Sequence, residues 1–250
     1  MKTFANRKTR DTIKIPGNYQ YQALTEGNSV QRFWHLNKQI CIDRFLPPNP
    51  SENILDVGCG SGVVSAFLAK IGANVVGIDG NSDAVTFARQ QFHAPNLSFE
   101  CRLVDEDFEV EKPLDKIYCL ELIEHIYQHQ ARKMLQQFYN LLSNDGCVFI
   151  STPNYRSPWP AIEWIMDTLK VAPQLENEQH VEFYNQKKLG RLCEDVGFTI
   201  KGLVTTCFAA PWIAPLNWEL AQKINVLETN CRLIPGCIII CILQKKSRVK

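Results

Sequence analysis

The chain has 250 residues, 45% of them hydrophobic and 21% charged, with a formal net charge of +1. That length can bury one good core, and the near-neutral balance excludes a polyelectrolyte partner as the default reading. Ten cysteines occur without a Cys-x-x-Cys pair or a Cys/His cluster at metal spacing, which argues against a zinc module or a disulfide framework and for a reducing, cytoplasmic setting.

Residues 1–18 are polar and basic, with Lys2, Arg7, Lys8 and Arg10, and read as a loosely ordered tail. Val30–Phe45 carries a helical stripe of Phe33, Trp34, Leu36, Ile40, Cys41 and Phe45. Prolines at 47, 48 and 50 stop that helix and divide residues 1–46, an N-terminal extension with a capping helix, from the main domain at 47–250. A short strand then runs into Asp56 and three alternate glycines, Gly58, Gly60 and Gly62, with a helix over Val63–Ile71. A second strand, Asn74–Ile78, ends in Asp79-Gly80, and Ser82 is expected to cap a helix reaching Phe92.

Leu97–Leu103 reads as a third strand, with the acidic group Asp105-Glu106-Asp107 directly after it. A fourth, Lys116–Leu120, leads into Glu121-Leu122-Ile123-Glu124-His125. An amphipathic helix over Gln130–Leu142 turns through Asn144-Asp145-Gly146 into strand Cys147–Ser151. The alternation of strand and helix specifies a Rossmann-like parallel sheet with helices on both faces. Beyond it come an apolar helix at Ala161–Leu169, a helix over Gln186–Val196 closed by Gly197, and a strand at Phe198–Thr205. A loop-and-helix segment at Ala209–Leu227 leads to a last strand at Gly236–Leu243, which is too short to span a bilayer. The last two strands are expected to pair antiparallel, giving a seven-stranded α/β sheet with insertions near 153–180 and 206–232.

The glycine turn discriminates between ligands. A dinucleotide fingerprint is Gly-x-Gly-x-x-Gly, whereas here Gly62 arrives one residue early and Val63 occupies the expected glycine position. An aspartate before the glycines suits a cationic ligand bearing an ammonium and a sulfonium better than a pyrophosphate. S-adenosylmethionine is therefore expected over NAD(P), with an NAD(P)-dependent oxidoreductase and a non-catalytic cofactor-binding protein as competing readings.

Leu55–Gly62 resembles motif I of the class I S-adenosylmethionine-dependent methyltransferases. The segments Phe33–Leu36, Cys119–His125, Phe149–Asn154 and His180–Tyr184 are most similar to the ubiquinone-biosynthesis O-methyltransferases. The resemblance implies that Asp56 orders the turn and the amino-acid end of the cofactor, with the backbone of Gly58 and Gly60 passing against it. It implies that Asp79, with Gly80 beside it, accepts both ribose hydroxyls, that Asp105 or Glu106 meets the adenine amine, and that Leu120 contacts the cofactor through its backbone. Lys38 could reach the cofactor carboxylate or stand as a surface lysine.

Glu121, Glu124 and His125, at i, i+3 and i+4, could share one face of a helical turn, and with His180 they are the candidate catalytic residues. In the resembling family this Glu, Glu and His are associated with a divalent cation such as Mg²⁺, so the three are also the candidate metal ligands, with bracing of the turn as the alternative. Tyr155, Glu182 and Tyr184 are secondary candidates. Tyr19, Tyr21, Trp34, Trp159 and Trp164 suit a small aromatic or lipid-like acceptor transferring to oxygen, and the lack of a basic, aromatic-interleaved stripe argues against nucleic acid. The apolar 158–171 stretch suggests peripheral contact with the inner face of a membrane, and the oligomeric state is open.

Overall fold

The computed structural model describes residues 16–105, 107–162, 180–231 and 234–246. Two N-terminal helices, α1 (Tyr19–Thr25) and α2 (Ser29–Phe45), precede strand β1 (Asn53–Val57). There follow α3 (Val63–Lys70), β2 (Asn74–Asp79), α4 (Ser82–Gln91), β3 (Leu97–Cys101), β4 (Leu114–Leu120), α5 (Gln128–Leu141) and β5 (Leu142–Pro153). The chain closes with α6 (Gln186–Val196), β6 (Phe198–Thr206), α7 (Ala210–Ile213), α8 (Trp218–Asn230) and β7 (Ile238–Lys245).

The seven strands form one sheet in the order β3-β2-β1-β4-β5-β7-β6. The first five run parallel, while β7 is antiparallel to both neighbours, β5 and β6. This is the Rossmann-like arrangement expected from the alternation, including the antiparallel last strand. Because both faces are covered, the central strands are apolar almost throughout. Successive residues go to opposite layers: Leu55, Ile117 and Ile150 join Phe138, Leu189 and Phe198 under α5 and α6. Ile54, Tyr118 and Phe149 join Phe33, Ile42 and Leu68 under α2 and α3.

Several boundaries differ from the sequence expectation, each for a local reason. Asn81, not Ser82, caps α4, its side-chain oxygen accepting from the Asp83 and Ala84 amides at 3.0 and 3.4 Å. Strand β3 ends at Cys101 rather than Leu103, because it is an edge strand and its last partner is Asp79. The Asn144–Gly146 turn lies inside β5 as a bulge, since Leu114 pairs with Leu142 but Lys116 pairs with Cys147. β7 starts at Ile238 rather than Gly236, whose amide is taken by the Thr205 hydroxyl at 3.0 Å. Helix α1 follows the expected tail directly and has no apolar stripe to announce it. Of the expected Ala161–Leu169 helix only the start is described, with residues 159–162 helical. Its remainder, Trp164 and Glu106 lie outside the described residues.

Candidate active site

The carboxyl ends of β1, β2, β4 and β5 gather the residues that the sequence singles out. Past β1 the backbone takes left-handed φ at Gly58, Gly60 and Gly62 (73°, 51° and 81°). The Gly58 and Cys59 amides donate to the Ile78 carbonyl at 2.9 and 3.0 Å, lashing the turn to the end of β2. A Cβ at Gly62 would lie 2.8 Å from both Ala88 Cβ and Phe99 Cζ, so the start of α3 sits against α4 and β3 at a distance only glycine permits.

Asp79 pins this turn from the tip of β2. Its Oδ2 accepts the Gly60 amide and its Oδ1 the Asn81 amide, each at 2.8 Å. Each carboxylate oxygen keeps a further lone pair, which leaves the pair able to accept from a vicinal diol. Asp56 is buried and its Oδ2 accepts the Ser65 hydroxyl at 2.6 Å. Burial, with the charge of Asp79 adding to it against the Ser65 hydrogen bond, pushes the Asp56 carboxyl up to about 7.

A cavity opens beside Asp56 and Gly58, walled by Gln20, His35, Lys38 and Leu120. Gln20 was not foreseen: its amide covers Gly60, where a Cβ would fall 2.6 Å from Oε1. The Tyr21 amide donates to Ser61 Oγ at 3.0 Å, and the Tyr21 ring lies 5.4 Å from Phe87 and 6.1 Å from Phe92. α1 is thus bolted over the glycine turn from two sides. His35 was also unforeseen, although it stands three residues before Lys38 on one helix face. Burial and the Lys38 charge hold its imidazole well below the ordinary histidine range, so it is neutral.

Lys38 is not a surface lysine. It is buried, with Nζ 2.7 Å from Glu121 Oε2. Glu121 therefore leaves the expected helical face. Its amide continues the β4–β5 ladder, donating to the Ser151 carbonyl at 2.9 Å, and its φ of 50° turns the side chain to Lys38. The helical turn is a single 3₁₀ turn over Ile123–His125 that begins after Glu121. The expected trio of Glu121, Glu124 and His125 is thus replaced by Glu124, His125 and His180, whose ligand-type atoms lie within 4.8 Å of one another.

His180 arrives from far along the chain because the Glu124 carbonyl accepts the Val181 and Glu182 amides at 2.9 and 3.1 Å. The His125 and His180 ring centroids are 4.9 Å apart, and Tyr155 Oη is 2.6 Å from His180 Nδ1. Glu124 is buried, 4.0 Å from His125 Nε2 through Oε1 and accepting the Thr152 hydroxyl at 2.9 Å through Oε2. Burial, reinforced by the charge of Glu121, raises its carboxyl to about 7. Glu182 stays outside this group, paired with Lys188 at 2.6 Å. Tyr184 is buried, with its hydroxyl unpartnered among the described residues. Trp34 and Trp159 pack at 4.8 Å between centroids, and the Trp159 indole N–H is buried with no partner among the described residues. Asp105 is exposed and outside the cavity wall. Gly80 sits under Leu103, where a Cβ would fall 2.8 Å from Cδ2.

The comparisons agree with this geometry. A family model described as a methyltransferase domain matches residues 33–201. A ubiquinone biosynthesis O-methyltransferase of Glaesserella parasuis is 34% identical over 164 residues, covering 61% of this chain and 67% of the relative. The enzyme of the same name from Thiobacillus denitrificans is 29% identical over 220 residues, 86% of this chain and 90% of the relative. The crystal structure of magnesium protoporphyrin IX methyltransferase from Synechocystis with bound SAH shares the fold at a TM-score of 0.60 and 17% identity, covering 92% of this chain and 94% of that one. With the acid-and-glycine turn, the strand order and the family match in agreement, the chain belongs to the S-adenosylmethionine-dependent methyltransferases.

Proposed function

We propose that this methyltransferase acts on a hydroxyl oxygen of a small aromatic or lipid-like acceptor, with the imidazole pair His125 and His180 as proton acceptor. The observation that carries this reading is the cluster of Glu124, His125, His180 and Tyr155 on the segments that follow β4 and β5. The names of the two curated relatives support the oxygen.

In the proposed binding mode, Asp79 receives the ribose hydroxyls, Gly58, Gly60 and Leu120 line the cofactor through their backbone, and Gly80 lies beside the ribose under Leu103. Asp56 and Lys38 face the amino-acid end, and the segment at Asp105 and Glu106 borders the adenine. Transfer is an in-line displacement. An oxygen lone pair attacks the methyl carbon, the carbon–sulfur pair returns to sulfur, and the hydroxyl proton passes to imidazole. Glu124 stabilises the imidazolium that forms, and Tyr155 orients His180.

The donors of Glu124, His125 and His180 are close enough to hold a divalent ion, but two imidazoles and one carboxylate differ from the all-oxygen set that Mg²⁺ selects. An ion bound there would supply a Lewis acid that lowers the pKa of the acceptor hydroxyl. Replacing His125 or His180 by Ala should cut kcat by about 10²–10⁴ while leaving SAH affinity within about two-fold. Chelator should leave the wild-type rate unchanged. Loss of activity in chelator, restored by Mn²⁺ or Zn²⁺, would transfer the cluster from proton acceptor to metal centre.

A further inference from the structure

Ten large hydrophobic side chains are markedly exposed among the described residues, and six of them fall in one stretch: Phe208, Trp212, Leu216, Leu220, Val226 and Leu227. The stretch comprises α7, α8 and the turn between them. No charged residue occurs from Cys207 to Trp218, and Leu216, at the tip of the turn, is 89% exposed.

This tip stands at the same edge of the molecule as the active site. Thr206, the last residue of β6, is level across β7 with Pro153, the last residue of β5, through their common partner Ile238. α8 then runs alongside α2 in the same direction, with Trp218 against Phe33 at 5.3 Å, Asn225 bonded to Asn37 at 2.6 Å and Arg44 to Asn230 at 2.7 Å. The start of α8 and the tip before it therefore lie by the start of α2, the helix that carries Trp34 and Lys38.

The tip is also internally satisfied. The buried Glu228 carboxylate accepts the amides of Phe208, Ala209 and Ala210 at 2.9, 2.7 and 3.2 Å. The Leu216 and Asn217 amides both donate to the Ile213 carbonyl at 2.9 Å, and Pro211 and Pro215 carry no N–H. Moving it into an apolar medium strips water from side chains whose transfer is favourable and leaves few main-chain donors to dehydrate.

We propose that this α7–α8 knob is a membrane-contact surface that seats the active-site edge on an anionic phospholipid bilayer. An exposed, uncharged tip with a half-exposed tryptophan matches the bilayer interface, where indoles concentrate. The tip carries no charge with which to pair a protein partner's side chains. The sequence before Pro16 adds charge complementarity: it holds Lys2, Arg7, Lys8, Arg10 and Lys14 against Asp11 alone. It joins the fold at Gly17, which packs on the Asp83–Ala84 backbone at the carboxyl edge of the sheet. The proposal stands independently of the acceptor's identity.

The test is co-sedimentation of the full chain with vesicles of phosphatidylcholine and phosphatidylglycerol. The wild-type protein should bind. Trp212→Glu combined with Leu216→Glu should weaken binding on the order of ten-fold or more while leaving SAH affinity unchanged, since neither side chain supports the core. Wild-type protein remaining in the supernatant, or the double variant binding as well as wild type, would overturn the proposal. So would sedimentation equilibrium showing a dimer that Leu216→Glu dissociates, in a protein that ignores vesicles; that result assigns the knob to a second copy.

Discussion

Asp56 and Asp79 lie one strand apart at the head of the cavity, in different environments. Asp79 is held by two backbone amides, Asp56 by Ser65 inside the core. Asp79→Ala should weaken SAH binding about ten-fold or more, because it removes charge-assisted acceptors and also releases the Gly60 amide. Titration calorimetry checks this, and unchanged affinity would contradict the ribose assignment. Asp56 and Glu124 both have carboxyls raised to about 7, so the native protein keeps protons that the unfolded chain has already lost. Without cofactor, stability should therefore fall as pH rises from the ordinary carboxylate range to about 7. A cofactor bearing ammonium and sulfonium favours ionised Asp56, so binding near pH 6.5, just below the raised value of about 7, should release protons. Calorimetry in buffers of different ionisation enthalpy measures that release, and Asp56→Asn should reduce it.

At the scale of elements, the strand–turn–helix from Asn53 to Lys70 was legible because its signals are local. An apolar run, an acid and three glycines lie within ten consecutive residues, and backbone conformation alone demands them. Gly62→Ala should cost about 2–4 kcal/mol, combining a left-handed alanine with an overpacked contact to Ala88 and Phe99, as denaturant unfolding would record. The candidate catalytic cluster was only half legible. Glu124 and His125 are adjacent in sequence, but His180 joins them through main-chain bonds spanning more than fifty residues, which no local pattern encodes. Glu121 departs from the helical spacing because the β4–β5 ladder still holds its amide. Gln20 carried no signal at all, since its position over Gly60 depends on how α1 docks.

For the whole molecule, strand order and the single antiparallel strand follow from connection length. Long crossovers through helices permit parallel neighbours, whereas the short link from α8 to β7 returns the chain between β5 and β6. That arrangement places the glycine turn, the imidazole cluster and the α7–α8 knob along one edge. In the proposed reading the acceptor enters at this edge, on the side of the Trp34–Trp159 pair. A molecule organised this way should transfer a methyl group to oxygen, and its product reports that directly. The decisive measurement is incubation of the enzyme with methyl-labelled S-adenosylmethionine and a panel of phenols, catechols and a lipid extract, followed by mass spectrometry. The wild-type protein should place the label in a methyl ether, and His125→Ala should lose that product. Label on nitrogen or carbon, or no labelled product from an enzyme that binds SAH normally, would contradict it.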